Sequence, residues 1–133
     1  MLALLVLFFL GKSNIFQGNR SEAVINEQKF KLEVVSNDKE RVRGLGGRNN
    51  ICDSCGMLFQ FPTPGKYSFW MKDMKFPLDI IWISGNKIIY IAKNVSPDYQ
   101  GTINPPDLAD KVLELNGGKC DKDGIKEGDI INF

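Results

Sequence analysis

Apolar residues form an unbroken run at the start of the chain, covering residues 1–10. This run is too short to cross a bilayer, for which a helix needs about 20 residues, but its length suits the hydrophobic part of a signal peptide or the end of a membrane anchor. Residues 11–21 are mainly polar, with glycine, serine and asparagine, as in a linker. We therefore expect residues 1–22 to be a leader or anchor fragment with its linker. The alternative is that the run is a buried N-terminal strand or helix.

From Ala23 onward apolar and polar residues mainly alternate, which is the period of a half-buried strand. We predict strands at residues 30–34, 56–61, 67–72, 79–84, 87–93, 112–115 and 130–133. Asn37 can cap a short helix, because Glu40 follows three residues later, and one helical turn is expected within residues 117–124. The sequence Pro62-Thr63-Pro64-Gly65 predicts a turn, since proline and glycine do not continue a strand ladder.

The clearest hairpin has strands at residues 79–84 and 87–93, joined by Gly85-Asn86, where glycine can adopt the positive φ of a tight turn. Both faces of this hairpin are apolar, so both must be covered. The stretch from Asn94 to Lys111 has no period, and we expect a long loop that covers the core or has a function. Residues 23–133 are therefore predicted to form one mainly β domain. It would be a compact β-sandwich or jelly-roll-like barrel with one or two short helices.

Composition removes several classes of chemistry. The chain has 133 residues, 17 basic and 16 acidic side chains, and no histidine. Without histidine there is no Ser-His or Cys-His nucleophile pair, and the commonest metal ligand is missing. The net charge of +1 gives no electrostatic footprint for nucleic acid. No cofactor is predicted.

Several blocks of sequence resemble the domain of unknown function 192 (DUF192) family over roughly Val24 to Phe133. They are Arg-Gly-Leu at 43–45 with Arg48, Gly-Met-Leu-Phe at 56–59, Phe-Trp-Met-Lys at 69–72, Pro-Leu-Asp-Ile-Ile at 77–81, Val-Ser-Pro-Asp at 95–98, Val-Leu-Glu-Leu at 112–115 and Gly-Ile-Lys-Glu-Gly-Asp at 124–129. The resemblance implies a compact β domain that often follows a signal peptide or N-terminal anchor. It implies no reaction, so no catalytic residue can be transferred.

Three cysteines are present, and Cys52 and Cys55 are separated by two residues. In an exported protein a local disulfide between them is the simplest interpretation. Pairing of Cys120 with either one, unpaired thiols, a redox pair, and a metal site that includes all three remain alternatives. Copper bound by Met57, Met71 and Met74 is a further option, but methionines beside phenylalanines more often fill a core. No metal is predicted.

The candidate ligand site comprises Arg48, Trp70, Lys72 and Asp79, with Asp98 in the covering loop. Trp70 and Lys72 share one side of a predicted strand, and Asp79 begins the next one. A buried Asp79 would need a cation or hydrogen bonds, and we expect Arg48 or Lys72 to supply the charge. The alternative is that Asp79 is structural and accepts backbone N–H groups.

The leading hypothesis is an exported or membrane-anchored domain that binds a small polar ligand or a protein partner at the cell envelope. It would meet the membrane only through the leader. One alternative is a carboxylate-dependent hydrolase or lyase that uses Asp79 with Asp98 or Asp73. Another is an envelope thiol or copper protein. Glu114, between Leu113 and Leu115, is expected on the exposed face of its strand.

Deleting residues 1–18 should leave a soluble, folded domain, because a polar linker separates the apolar run from the alternating region. Circular dichroism and gel filtration of the shortened protein measure this. An insoluble or unfolded product would place the apolar run in the core and contradict the leader hypothesis.

Overall fold

A computed structural model describes residues 19–133. The predicted leader lies outside the described residues, as does the linker up to residue 18. Within residues 19–133 no helix is long and apolar enough to cross a membrane. The elements in chain order are β1 (Asn19–Ile25), β2 (Gln28–Val35), α1 (Asp38–Arg43), β3 (Cys55–Gly65), β4 (Phe69–Trp70), β5 (Leu78–Ser84), β6 (Lys87–Val95), β7 (Thr102–Ile103), β8 (Ala109–Asn116) and α2 (Lys119–Asp123).

Six strands form one mixed sheet in the order β1-β2-β3-β8-β5-β6, and β4 pairs with β7 in a small second sheet. Strands β2 and β3 are parallel, and the other neighbours in the large sheet are antiparallel. The prediction of a compact, mainly β domain with one or two short helices is confirmed. The large sheet is open, and the C-terminal segment only bridges its two edge strands, at Val24↔Asn132 and Lys87↔Ile130.

The central strands are buried on both faces, as the apolar hairpin pattern predicts. Every residue of β5 except Ser84 is buried, and Val112 to Leu115 of β8 are buried as well. One core includes Phe30, Leu58, Ile81 and Leu113 together with the C-terminal residues Ile125 and Ile131. The core on the other face includes Met57, Phe59, Ile80, Trp82 and Val112. Helix α2 contributes Cys120 to the first core, and β4 and β7 contribute Phe69 and Ile103 to the second.

Two predictions that depend on a few neighbouring residues, the Asn37 helix cap and the Gly85 turn, are confirmed. Asn37 caps α1, and its side-chain oxygen accepts a hydrogen bond from the backbone N–H of Glu40 at 2.9 Å. Gly85 has the positive φ, 63°, that the β5–β6 turn requires. The strict alternation of β6 is interrupted at one point, because Trp82 pairs with Tyr90 while the next residue, Ile83, pairs with Ile88. The extra residue is a β-bulge, which moves Tyr90 to the opposite face from Ile88.

Several predicted boundaries are wrong. Strand β1 begins at Asn19, so the end of the predicted linker is part of the sheet. The predicted turn at 62–65 does not form, because β3 continues to Gly65 with an irregular register beyond Gln60. The predicted strand at 67–72 is only Phe69–Trp70. It pairs with β7 and not with the strand that carries Met57, since β2 and β8 occupy both edges of β3. The predicted terminal strand at 130–133 makes isolated bridges only.

Candidate functional site

Asp79 is completely buried and is bonded to the backbone. Its Oδ1 accepts hydrogen bonds from the N–H groups of Asn94 at 2.7 Å and Gly118 at 3.1 Å, and its Oδ2 accepts one from Cys120 at 2.7 Å. Asn94 and Gly118 both have positive φ angles, 47° and 87°. The carboxylate therefore fixes two left-handed backbone positions and joins the ends of β6, β8 and α2. This is the structural role that the sequence left as the alternative.

The four residues of the predicted site do not converge. Asp79 pairs in register with Leu115, whose side chain belongs to the first core, whereas Trp70 lies over the second. These cores are on opposite faces of the sheet, so the geometric prediction is wrong. It failed because the segment that carries Trp70 packs on the second core, while Asp79 points to the other face, where backbone N–H groups take the place of the expected cation.

Arg48 lies elsewhere again and forms an ion pair with Glu33. Its two terminal nitrogens donate to the two carboxylate oxygens at 2.9 and 2.7 Å. These hydrogen bonds hold the pKa of Glu33 below its usual value. Asp98 is exposed, and its backbone N–H bonds to the hydroxyl of Ser96. Of the predicted site residues, only Trp70 and Lys72 lie together, with the Lys72 ammonium 5.4 Å from the centre of the Trp70 ring.

The cysteine and methionine residues considered as metal or redox sites are disulfide-bonded, buried or packed against the core. Cys52 and Cys55 form a disulfide, and Cys120 is a buried free thiol. Burial raises the pKa of Cys120, so its thiolate is disfavoured. Met57 and Met71 are buried in the second core, and Met74 packs against it. Within residues 19–133 no three His, Cys, Asp or Glu side chains are grouped to hold a metal ion.

A pocket of about 290 Å³ lies over the second face of the sheet, and we name it the Glu114 pocket. Its floor is the sheet, where Phe59 and Phe61 of β3 and Glu114 of β8 line it. Its walls come from the end of α1 with the segment after it, from β4 with its flanking residues, and from β7. Its aromatic side chains are Phe59, Phe61, Tyr67, Phe69 and Trp70, and its basic ones are Arg41, Arg43 and Lys72.

Glu114 is the residue that the sequence interpretation misplaced. It pairs in register with Met57 on β3 and with Ile80 on β5, so it lies inside the second core and not on an exposed face. Its exposed fraction is 4%, and its Oε2 is fully buried with no hydrogen-bond partner among the described residues. Burial raises the pKa of Glu114 to about 8. The signal was Val112, two residues earlier on the same face, because an apolar neighbour there indicates a buried side.

The aromatic walls are held by contacts of their own. The Phe61 and Tyr67 rings stack with centroids 3.6 Å apart, and Phe69 meets Phe59 edge to face at 4.9 Å. Buried Trp82 donates its indole N–H to the Tyr67 carbonyl at 2.8 Å. The walls are thus anchored to the core, and the pocket is preformed.

The three basic residues of the pocket differ in how far they are engaged. Arg41 donates to the Gln60 carbonyl and to Asp38, and its guanidinium lies 4.8 Å from the centre of the Phe61 ring. Arg43 and Lys72 are exposed, and neither forms an ion pair among the described residues. The pocket therefore combines apolar walls, a buried carboxyl without a partner and two solvated cations at its mouth.

Comparisons with known proteins identify a family and two solved relatives. The model of the DUF192 family, described as an uncharacterised ACR, matches residues 21–133. A protein of unknown function from Novosphingobium aromaticivorans is similar in structure, with a TM-score of 0.81, 28% identity, and coverage of 86% of this chain and 85% of its own. A candidate transcription regulator from Sinorhizobium meliloti has a TM-score of 0.79 and 27% identity, with coverage of 85% and 91%. No curated protein matches the chain.

Replacing Asp79 by asparagine should lower the free energy of unfolding by about 1–3 kcal/mol, because an amide NH₂ would face a backbone N–H that now has an acceptor. Urea denaturation measures the change. Asp98→Asn, an exposed carboxylate in the long loop, is the control and should leave stability nearly unchanged. A mutant at Asp79 that is as stable as the control would contradict the structural role.

Replacing Glu114 by glutamine should stabilise the protein at high pH. The pKa of Glu114 is raised in the folded state, so ionisation of this residue favours the unfolded chain. The wild type therefore has its full stability below pH 4.5 and loses stability as pH rises to about 8. A glutamine side chain does not titrate, and the advantage of the variant should therefore grow to as much as about 5 kcal/mol at pH 9. Urea denaturation at pH 5 and pH 9 measures it, with exposed Glu22→Gln as the control. The same pH dependence in wild type and Glu114→Gln would show that Glu114 is not buried as described.

Proposed function

The chain belongs to the DUF192 family, and we propose that it is a binding domain which takes one small molecule into the Glu114 pocket. The observation that carries this proposal is the unpartnered Oε2 of Glu114 beside five aromatic side chains. A buried carboxyl without a hydrogen bond costs stability, and such groups are uncommon in folded proteins unless they serve a function. A volume of about 290 Å³ is near the lower end of small-molecule pockets, which span roughly 300–1,000 Å³.

A carboxylate-dependent hydrolase or lyase is the second candidate, and the raised pKa of Glu114 favours it, since general acids often have such values. The carboxyl would be Glu114 and not Asp79, whose oxygens are all occupied by backbone donors. Reactions of this class usually use two acid–base groups. Within the described residues, Glu114 is the one carboxyl that lines the pocket. We therefore favour binding over catalysis, because binding does not need a second acid–base group in the pocket.

An envelope location is part of the proposal. Its supports are the apolar run at residues 1–10 and the Cys52–Cys55 disulfide, since disulfides persist mainly in oxidising compartments. The domain would be exported or held at the membrane by the leader, and its ligand would be a small envelope molecule or part of an envelope protein.

DNA is a less well supported partner, although one structural relative is described as a candidate transcription regulator. The net charge is +1, and the two helices within residues 19–133 have six and five residues. Major-groove recognition commonly uses a longer helix with a basic surface. The Glu114 pocket therefore gives more support to a small-molecule ligand than the helices and net charge give to DNA.

The proposal can be tested with three probes of one size: phenethylamine, phenethyl alcohol and phenylacetate. At least one should bind residues 19–133 with a Kd of about 1 mM or lower and shift the backbone amide signals of Gly44, Phe69 and Thr102 in two-dimensional NMR spectra. Thr102→Trp should weaken this binding at least about tenfold, because it adds an indole at the pocket mouth.

Thr63→Trp is the matched control, since Thr63 is exposed on β3 and does not line the pocket. It should bind as the wild type does. If none of the three probes shifts the pocket signals, or if Thr102→Trp binds all of them unchanged, the pocket is not a ligand site and the proposal fails.

A further inference from the structure

The chemistry of the Glu114 pocket indicates what kind of molecule fits it, and this inference rests on the proposed function. Glu114 Oε2 has no donor among the described residues. Its nearest strand neighbours, Met57 and Ile80, are apolar and offer none. A ligand that reaches the floor must therefore bring a hydrogen-bond donor with it, or leave a buried polar atom unsatisfied at a cost of about 1–3 kcal/mol.

We propose that the Glu114 pocket selects organic ammonium compounds, whose N–H groups bond to the Glu114 carboxylate and whose apolar body lies among the aromatic rings. An ammonium donor forms a charge-assisted hydrogen bond, which is roughly twice as strong as a neutral one. Aromatic faces also attract cations by about 0.5–2 kcal/mol. Arg41 already lies over the Phe61 ring and Lys72 over the Trp70 ring. The Glu114 carboxylate and the other aromatic rings of the pocket lining, those of Phe59, Tyr67 and Phe69, offer both interactions to the same group.

The basic residues do not cancel this preference. Arg41 is already paired with Asp38 and bonded to the Gln60 carbonyl. Arg43 and Lys72 are exposed at the mouth, where water and salt screen their charges. Glu114 is 4% exposed on the floor, so its interaction with a bound cation is screened much less. The competing possibility is that Arg43 and Lys72 hold an anionic ligand at the mouth, and the test below distinguishes this from binding of an ammonium compound.

Binding of a cation should be coupled to loss of a proton. Burial raises the pKa of Glu114 to about 8, so below that pH the carboxyl is neutral and must release its proton to the buffer before it forms an ion pair. The ionisable groups that line the same pocket are Arg41 and Arg43 from α1, and Tyr67 and Lys72 from the β4 region; the residues paired with Glu114 on β3 and β5, Met57 and Ile80, are apolar. The affinity for an amine should therefore rise about tenfold per pH unit below pH 7.5 and level off above pH 8.

Isothermal titration calorimetry with phenethylamine, phenethyl alcohol and phenylacetate, at pH 6, 7 and 8, tests the inference. Phenethylamine should bind at least about tenfold more tightly than the other two at pH 8, and its heats in two buffers should show release of about one proton per ligand at pH 6 and 7. Glu114→Gln should abolish both the preference for the amine and its pH dependence. Glu22→Gln, far from the pocket, should keep both.

The outcomes separate this inference from the proposed function. If phenylacetate or phenethyl alcohol binds as tightly as the amine, the pocket is a ligand site but the ammonium preference is wrong. If the amine binds with unchanged affinity from pH 6 to 8, or if Glu114→Gln retains the preference, Glu114 is not the recognising group. If no probe binds, the proposed function itself is overturned.

Discussion

The burial of residues 112–115 in β8, on both edges and both faces, is the constraint on which the rest of the structure depends. Its neighbours β3 and β5 occupy both edges, and a hydrophobic core covers each face. Residues 112–115 therefore have no side that faces water, whichever direction a side chain points. A charged residue within residues 112–115 is necessarily buried, and Glu114 is that residue.

The two acidic residues that are buried among residues 19–133, Asp79 and Glu114, have different surroundings. Asp79 accepts three backbone N–H groups and connects the ends of two strands to α2. Glu114, one strand away on the opposite face, has apolar partners in register and an oxygen without a donor. In this low-dielectric interior the hydrogen bonds of Asp79 hold the backbone together. Glu114, by contrast, lacks the hydrogen-bond donor that a buried carboxyl oxygen needs. This difference is the physical reason for placing function at Glu114 and structure at Asp79.

The sequence predicts features that depend on neighbouring residues. The Asn37 cap and the Gly85 turn each follow from a few positions, and the apolar hairpin correctly implies cover on both faces. Features set by distant contacts were missed. Nothing near Asp79 in sequence reveals that Gly118 and Cys120 donate to it, and nothing near Trp70 reveals that β4 pairs with β7. Glu114 was placed on the wrong side because Val112 is a weak local sign of a buried face, and the order of strands, which puts β8 in the centre, is not visible in the sequence.

The aromatic walls of the Glu114 pocket are held in place by contacts within the domain. Its aromatic rings are fixed by one another and by Trp82, so the walls around Glu114 are formed before any ligand arrives. A preformed site loses less conformational freedom on binding than one that must order its loops. The exposed cations at the mouth and the buried carboxyl on the floor then give a ligand two different electrostatic environments along one path.

A carbon-13 NMR titration of the Glu114 side-chain carboxyl in the folded domain tests directly whether this group is buried without a partner. The midpoint should lie near pH 8, since burial raises the pKa of Glu114 to about 8. A midpoint near 4.5, the usual value for a glutamate, would mean that the carboxyl is hydrated or paired, and Glu114 would then not be the buried, unpartnered group described above.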